Sequence, residues 1–165
     1  MKKYSQKWTI VTFLEPVKDS YEFNWRNWPL HITLADTFSI NWEKNDCMTK
    51  LEKLLAIQKP IKVSAKNIQL FGEPNKKHYV VVLERNTELV SLHNDIIALL
   101  KNSGAIFNEP QFIKEGFIPH IAIKDRKNYS QLDLICVSES TIVDMFPNGD
   151  GEQRKILKTV KFARI

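Results

Sequence analysis

The first run of apolar positions, KWTIVTFLE at 7–15, is rich in β-branched and aromatic residues and closed by Pro16, so it reads as a strand. A polar, tryptophan-containing loop leads to a short second strand, Pro29 to Ala35. Between Glu43 and Gln58 the spacing changes. Cys47, Met48, Leu51, Leu54 and Leu55 recur at helical intervals, and Pro60 blocks continuation. Ile61 to Leu70 alternates as a strand, FGEPN at 71–75 is a turn, and His78 to Arg85 forms a strand around VVVL. A second helix carries Leu89, Leu92, Ile96, Leu99 and Leu100 on one face, with Thr87 placed to cap its start and Gly104 its end. Beyond Pro110, strands are expected at Phe117 to Lys124, near Leu132 to Val143, and at Lys155 to Ala163. The last two are separated by PNGDG at 147–151, a hairpin-type turn. Some seven strands and two helices, without strict β-α alternation, predict an α+β fold with largely antiparallel sheet. No linker or low-complexity tract divides residues 1–165, which are expected to form a single domain.

Composition narrows this picture only slightly. A 43% hydrophobic and 26% charged chain is ordinary globular composition and argues against disorder. A formal charge of +5 suits an anionic ligand such as a nucleotide or RNA without demanding one. Cys47 and Cys136 are too few for a disulfide framework and have no zinc spacing, so reduced thiols in a cytosolic protein are expected. Met1-Lys2-Lys3 starts like a signal peptide, but the apolar stretch from Trp8 to Leu14 is short, holds two threonines and has no cleavage site after it. No segment approaches the roughly 18–20 apolar residues of a membrane span. A soluble, cytoplasmic protein with no membrane association is the expectation, and a monomer is the default because nothing reads as a dimer seam.

Candidate chemistry lies in two matching segments. Residues 28–34 are WPLHITL and residues 117–123 are FIPHIAI. Aligned on His31 and His120, both continue with isoleucine and reach an aspartate five residues on, Asp36 and Asp125. Residues i and i+2 of a strand share a face, so His31 and Thr33 should look one way while Ile32 and Leu34 enter the core. His120 and Ala122 repeat the pattern. An approximate internal two-fold would set both imidazoles on opposite sides of one groove. Two such groups suit acid–base work on a phosphodiester, because near-neutral pKa values let one be a base while the other is an acid. A threonine hydroxyl nearby can stabilise charge growing on a non-bridging oxygen. That chemistry needs no metal and no cofactor.

These residues resemble the 2H phosphoesterase superfamily, which includes 2′,5′-RNA ligases and 2′,3′-cyclic nucleotide phosphodiesterases and is marked by two H-x-[ST]-hydrophobic motifs. His31-Ile32-Thr33-Leu34 fits fully, and His120 follows 89 positions later. The resemblance extends over the element order of nearly the whole chain. It implies a bilobal, pseudo-two-fold fold: two antiparallel sheets around a central groove, with helices on the outer faces. It also implies His31 and His120 as the general acid/base pair, Thr33 as a phosphate ligand, and a nucleotide or RNA terminus as partner. The implied reaction is opening of a 2′,3′-cyclic phosphate. The alternatives are action on 2′,5′-linked oligonucleotides and a catalytically weakened nucleotide- or RNA-binding module.

The chain departs from the pattern at Ala122, where the second motif should carry Thr or Ser and where a methyl cannot donate to phosphate. Lys124 or Arg126 could supply compensating charge, although lysines at strand ends are more often simply solvated. Among the aromatics around the first motif, Trp25, Trp28, Phe38 and Trp42, core packing or loop anchoring is the ordinary role. Phe38 is the choice for a base-stacking role, since it follows the motif strand where the groove should open. His78 has no partner in the pattern, and His93 reads as a helix-flank residue.

Overall fold

The computed structural model describes residues 6–41, 46–124 and 133–164. Met1 to Lys3, Trp42, Asp125, Arg126, the expected helix start at Glu43 and the expected strand start at Leu132 lie outside the described residues. One sheet contains β1 (Lys7–Phe13), β2 (Glu22–Asn24), β3 (His31–Ser39), β6 (Ile106–Phe107), β9 (Glu139–Asp144) and β10 (Gln153–Lys161), in the order β2-β10-β9-β1-β3-β6. The other contains β4 (Ile61–Phe71), β5 (His78–Leu83), β7 (His120–Ile123) and β8 (Leu134–Val137), in the order β7-β5-β4-β8. Every neighbouring pair is antiparallel. The α+β architecture of two antiparallel sheets and two helices is therefore as expected, though the sheets are unequal.

Helices α1 (Cys47–Ala56) and α2 (Thr87–Asn102) cover the core. Cys47, Leu51 and Leu55 from α1 are fully buried, as are Leu89, Ile96 and Leu100 from α2. They join Ile10, Ile32 and Leu34 of the first sheet and Val81 and Ile121 of the second in one cluster. Helix α2 touches both β3 and β4, so one amphipathic face ties the two sheets together. A second cluster of Val11, Phe13, Phe23, Val143 and Ile156 lies on the other face of the first sheet, with Trp28 packed against it. Strand β1 is thus buried on both sides, which is why Trp8 to Phe13 is almost continuously apolar.

Besides two short strands that the sequence does not predict, β2 within the expected polar loop and β6 after α2, three details differ from the sequence reading. The strand expected from Leu132 to Val143 is divided: its described residues form two strands in different sheets, because β8 pairs with β4 whereas β9 pairs with β1 and β10. The chain changes sheets around Ser138, a switch that a continuous β-like pattern conceals. Asn86, not Thr87, caps α2. Its backbone is still extended, and its side-chain oxygen accepts from the Leu89 N–H at 3.0 Å. The second strand runs on to Ser39, past the expected end at Ala35.

Candidate active site

Strands β3 and β7 meet across a groove between the sheets. As alternation required, Ile32, Leu34 and Ile121 are fully buried, while His31, Thr33 and His120 are partly exposed on the opposite face. Both motif imidazoles are held in the same way. His31 Nδ1–H donates to the Pro29 carbonyl at 2.8 Å, and His120 Nδ1–H donates to the Ile118 carbonyl at 2.7 Å. A carbonyl can only accept, so each proton sits on Nδ1 and Nε2 is left as the titrating atom. In both cases the acceptor lies two residues earlier, so the two segments repeat in hydrogen bonding as well as in spelling.

Each ring also rests on aromatic residues. Trp28 lies tilted over His31 with ring centroids 4.6 Å apart, and Phe71 meets His120 edge-on at 5.0 Å. Burial among these neighbours is the main reason that both histidines titrate below the ordinary value of 6.5. The carbonyl hydrogen bonds partly offset it. His31 is lowered further by the charge of His120, so the two are close enough to feel each other. His120 is lowered by His78 and raised by Asp36.

The groove opens on the His120 side into a cavity of ≈ 840 Å³, lined among others by Thr33, Asp36, His78, Glu109, Phe112 and His120. That is room for a nucleotide-sized ligand. Asp36 reaches it through irregular pairing of β3. Val11 faces Thr33, Ile10 faces Ala35 and Trp8 faces Phe38, so β3 carries extra residues against β1. In strict alternation Asp36 would follow Ile32 and Leu34 into the core; the shifts turn it outward. Glu109 lies beside it. Partial loss of water, then the Asp36 charge, pushes the Glu109 carboxyl above its ordinary value. Among the described residues, no three His, Cys, Asp or Glu side chains gather where they could hold a metal ion.

Phe38 is not a stacking residue. It is 0% exposed and packs against Trp8 and Phe107, on the core face where alternation from Ile32 and Leu34 already puts it, since the two shifts cancel by that point. Lys124 is exposed and reaches across to the first sheet's loop, where its ammonium donates to the Arg26 carbonyl at 3.3 Å. His93 is a buried strut. Its Nδ1–H donates to the Leu34 carbonyl at 2.6 Å, its Nε2 accepts the Lys114 N–H at 3.0 Å, and its ring stacks on Phe117 at 3.9 Å. His78, which had no partner in the sequence pattern, lines the same cavity as His120. Phe71 and Glu109 were also invisible, since their place depends on pairing and loop packing alone.

A family model described as the 2′-5′ RNA ligase superfamily matches residues 6–138. No curated protein matches the chain in sequence. Among solved structures, Escherichia coli LigT complexed with NADP+ is similar with a TM-score of 0.58 and 18% identity, covering 98% of this chain and 100% of that one. LigT complexed with 3′-AMP gives a TM-score of 0.56 at 17% identity, with 96% and 99% covered. The Thermus thermophilus protein TT0787 gives 0.57 at 14% identity, with 94% and 97% covered. At these identities the likeness is one of fold.

Proposed function

The chain belongs to the 2′-5′ RNA ligase superfamily, and from that premise we propose that it is a metal-independent phosphodiesterase opening a 2′,3′-cyclic phosphate on a nucleotide or RNA end. The observation that carries this reading is the matched pair His31 and His120, each locked as the Nδ1–H tautomer by the carbonyl two residues before it. The neutral member takes a proton from water as the water oxygen bonds to phosphorus. The protonated member gives its proton to the ribose oxygen as the P–O bond to that oxygen breaks. The pair ends with its protonation states exchanged. Thr33, on the cavity wall beside His120, donates its hydroxyl to a non-bridging oxygen.

The test is hydrolysis of the four 2′,3′-cyclic nucleotides and a short cyclic-phosphate-ended RNA, with EDTA present and the His31→Ala/His120→Ala double variant as control. Turnover that vanishes in the variant is expected. Turnover that survives there, or that EDTA abolishes, would overturn the proposal. The same pair can act on a 2′,5′ linkage, with a ribose hydroxyl in place of water. LigT structures complexed with NADP+, ATP and 3′-AMP favour a nucleotide ligand in either reading.

Ala122 favours a different reading, a module that holds a nucleotide or RNA end without turnover. Its exposed methyl stands where the motif would offer a hydroxyl. One such hydrogen bond is worth about 1–3 kcal/mol, or roughly 5- to 150-fold in rate. Ala122→Thr is therefore expected to raise kcat by roughly fivefold or more. No gain would mean that the hydroxyl is not what the site lacks.

Both histidines titrate below 6.5, so the form with one imidazole charged and one neutral populates the acid side of that value. The kcat/KM profile should be a bell with its maximum below pH 6.5, falling as both rings become neutral. Asp36→Asn removes a charge that raises His120 and should move the bell to lower pH. A maximum above pH 7 would contradict the role given to this pair.

A further inference from the structure

The groove has a second end. Thr33 and Asp36 share the cavity with Ile118 and His120, whereas Arg26, upstream of β3, contacts Lys124 at the far end of β7. Strands β3 and β7 therefore run in opposite directions across the groove, and the Arg26–Lys124 contact lies away from the cavity, beyond His31 and Ala122. Three features gather there. Trp25 is 44% exposed although it is one of the largest apolar side chains. The Arg26 guanidinium lies over its ring, 5.3 Å from the centroid. Lys124 brings a second cation from the opposite sheet onto the same short turn. Among the described residues neither cation has a carboxylate partner.

An exposed indole beside two cations that have no carboxylate partner among the described residues has the composition of a single-stranded nucleic acid contact: an aromatic plane for a base and positive charge for its phosphate. The floor leading to it is low. His120, Ala122 and Lys124 share one face of β7 and its continuation, and the side chain between histidine and lysine is only an exposed methyl. A threonine or serine at that position would narrow the way from the histidine pair to the Arg26 turn.

We propose that Trp25, Arg26 and Lys124 form a second nucleotide subsite, so that the preferred substrate is an oligonucleotide end whose terminal nucleoside enters the cavity while the preceding nucleotide lies on the Trp25 rim. This rests on the phosphodiesterase reading for its substrate class, but not on turnover. It also gives Ala122 a use: a phosphate hydroxyl is exchanged for passage of the chain.

Calorimetric binding separates the two ideas. The ligands are a nucleoside 3′-phosphate and a dinucleotide carrying the same 3′-phosphorylated terminal nucleoside, measured in the full chain and in the double histidine variant. The dinucleotide should bind about tenfold more tightly in both. Trp25→Ala should reduce that ratio to near one, and Trp25→Phe should restore most of it. Lys124→Gln should flatten the salt dependence of dinucleotide binding. Equal affinity for the two ligands, or a ratio that survives Trp25→Ala, overturns the subsite. A length advantage that depends on Trp25, in a protein that hydrolyses no cyclic phosphate, upholds the subsite and overturns the reaction.

Discussion

His31→Ala and His120→Ala are each expected to lower kcat/KM on a 2′,3′-cyclic phosphate by ~10²–10⁴-fold. The double variant should fall little below the worse single one. A base without its acid leaves half a proton relay, and groups that act as a unit do not add. The folded state should lose less. Each substitution gives up one hydrogen bond, from His31 to Pro29 or from His120 to Ile118, worth about 0.5–1.5 kcal/mol. Steady-state kinetics beside a thermal melt decide the matter. Wild-type rates in both variants would remove them from the chemistry. A rate loss that merely tracks unfolding would make them structural.

His93→Ala should produce the largest stability loss of any single histidine change. It would leave the Leu34 carbonyl and the Lys114 N–H without their partner in a buried site and remove the ring stacked on Phe117. Each orphaned group costs about 1–3 kcal/mol, and the vacated ring space adds to this, for a total on the order of 3–5 kcal/mol. In a chain of this size that is a melting shift of roughly 10 °C. Activity should fall as well. Leu34 sits between Thr33 and Asp36, and Phe117 leads into the turn that sets His120, so the strut aligns both halves of the site. A melting point within about 2 °C of wild type would refute the strut.

The same residue makes stability depend on pH. Burial lowers the pKa of His93 in the folded state, and of His31 and His120 as well, below the unfolded value of 6.5. The unfolded chain then binds more protons than the folded one just below pH 6.5, so the contribution is complete above that pH and is lost as pH falls. A protonated His93 would also set an N–H against the Lys114 N–H it now accepts. Chemical denaturation midpoints should be flat from pH 8 to 7 and decline below about 6.5. Wild type should decline more steeply than a His93→Gln variant.

What the chain determines by itself is local. The step from His31 to Thr33 and from His120 to Ala122, with core isoleucines between, needs only the period of a strand, and the apolar face of α2 needs only that of a helix. Those periods made the antiparallel α+β class readable before any contact was known, while it was the repeated segments around His31 and His120 that marked the pair as a candidate. Tertiary structure decided the rest, because it depends on register and on partners distant in sequence. Extra residues in β3 relative to β1 turn Asp36 into the cavity, and no window along the chain records a pairing offset. Pairing of β4 with β5 carries Phe71 and His78 toward His120, and a change of sheets around Ser138 divides one smooth β pattern into two strands. Lys124 meets Arg26 across 98 positions of sequence, and His93 meets Leu34 across 59, contacts set by packing once the two sheets share a core.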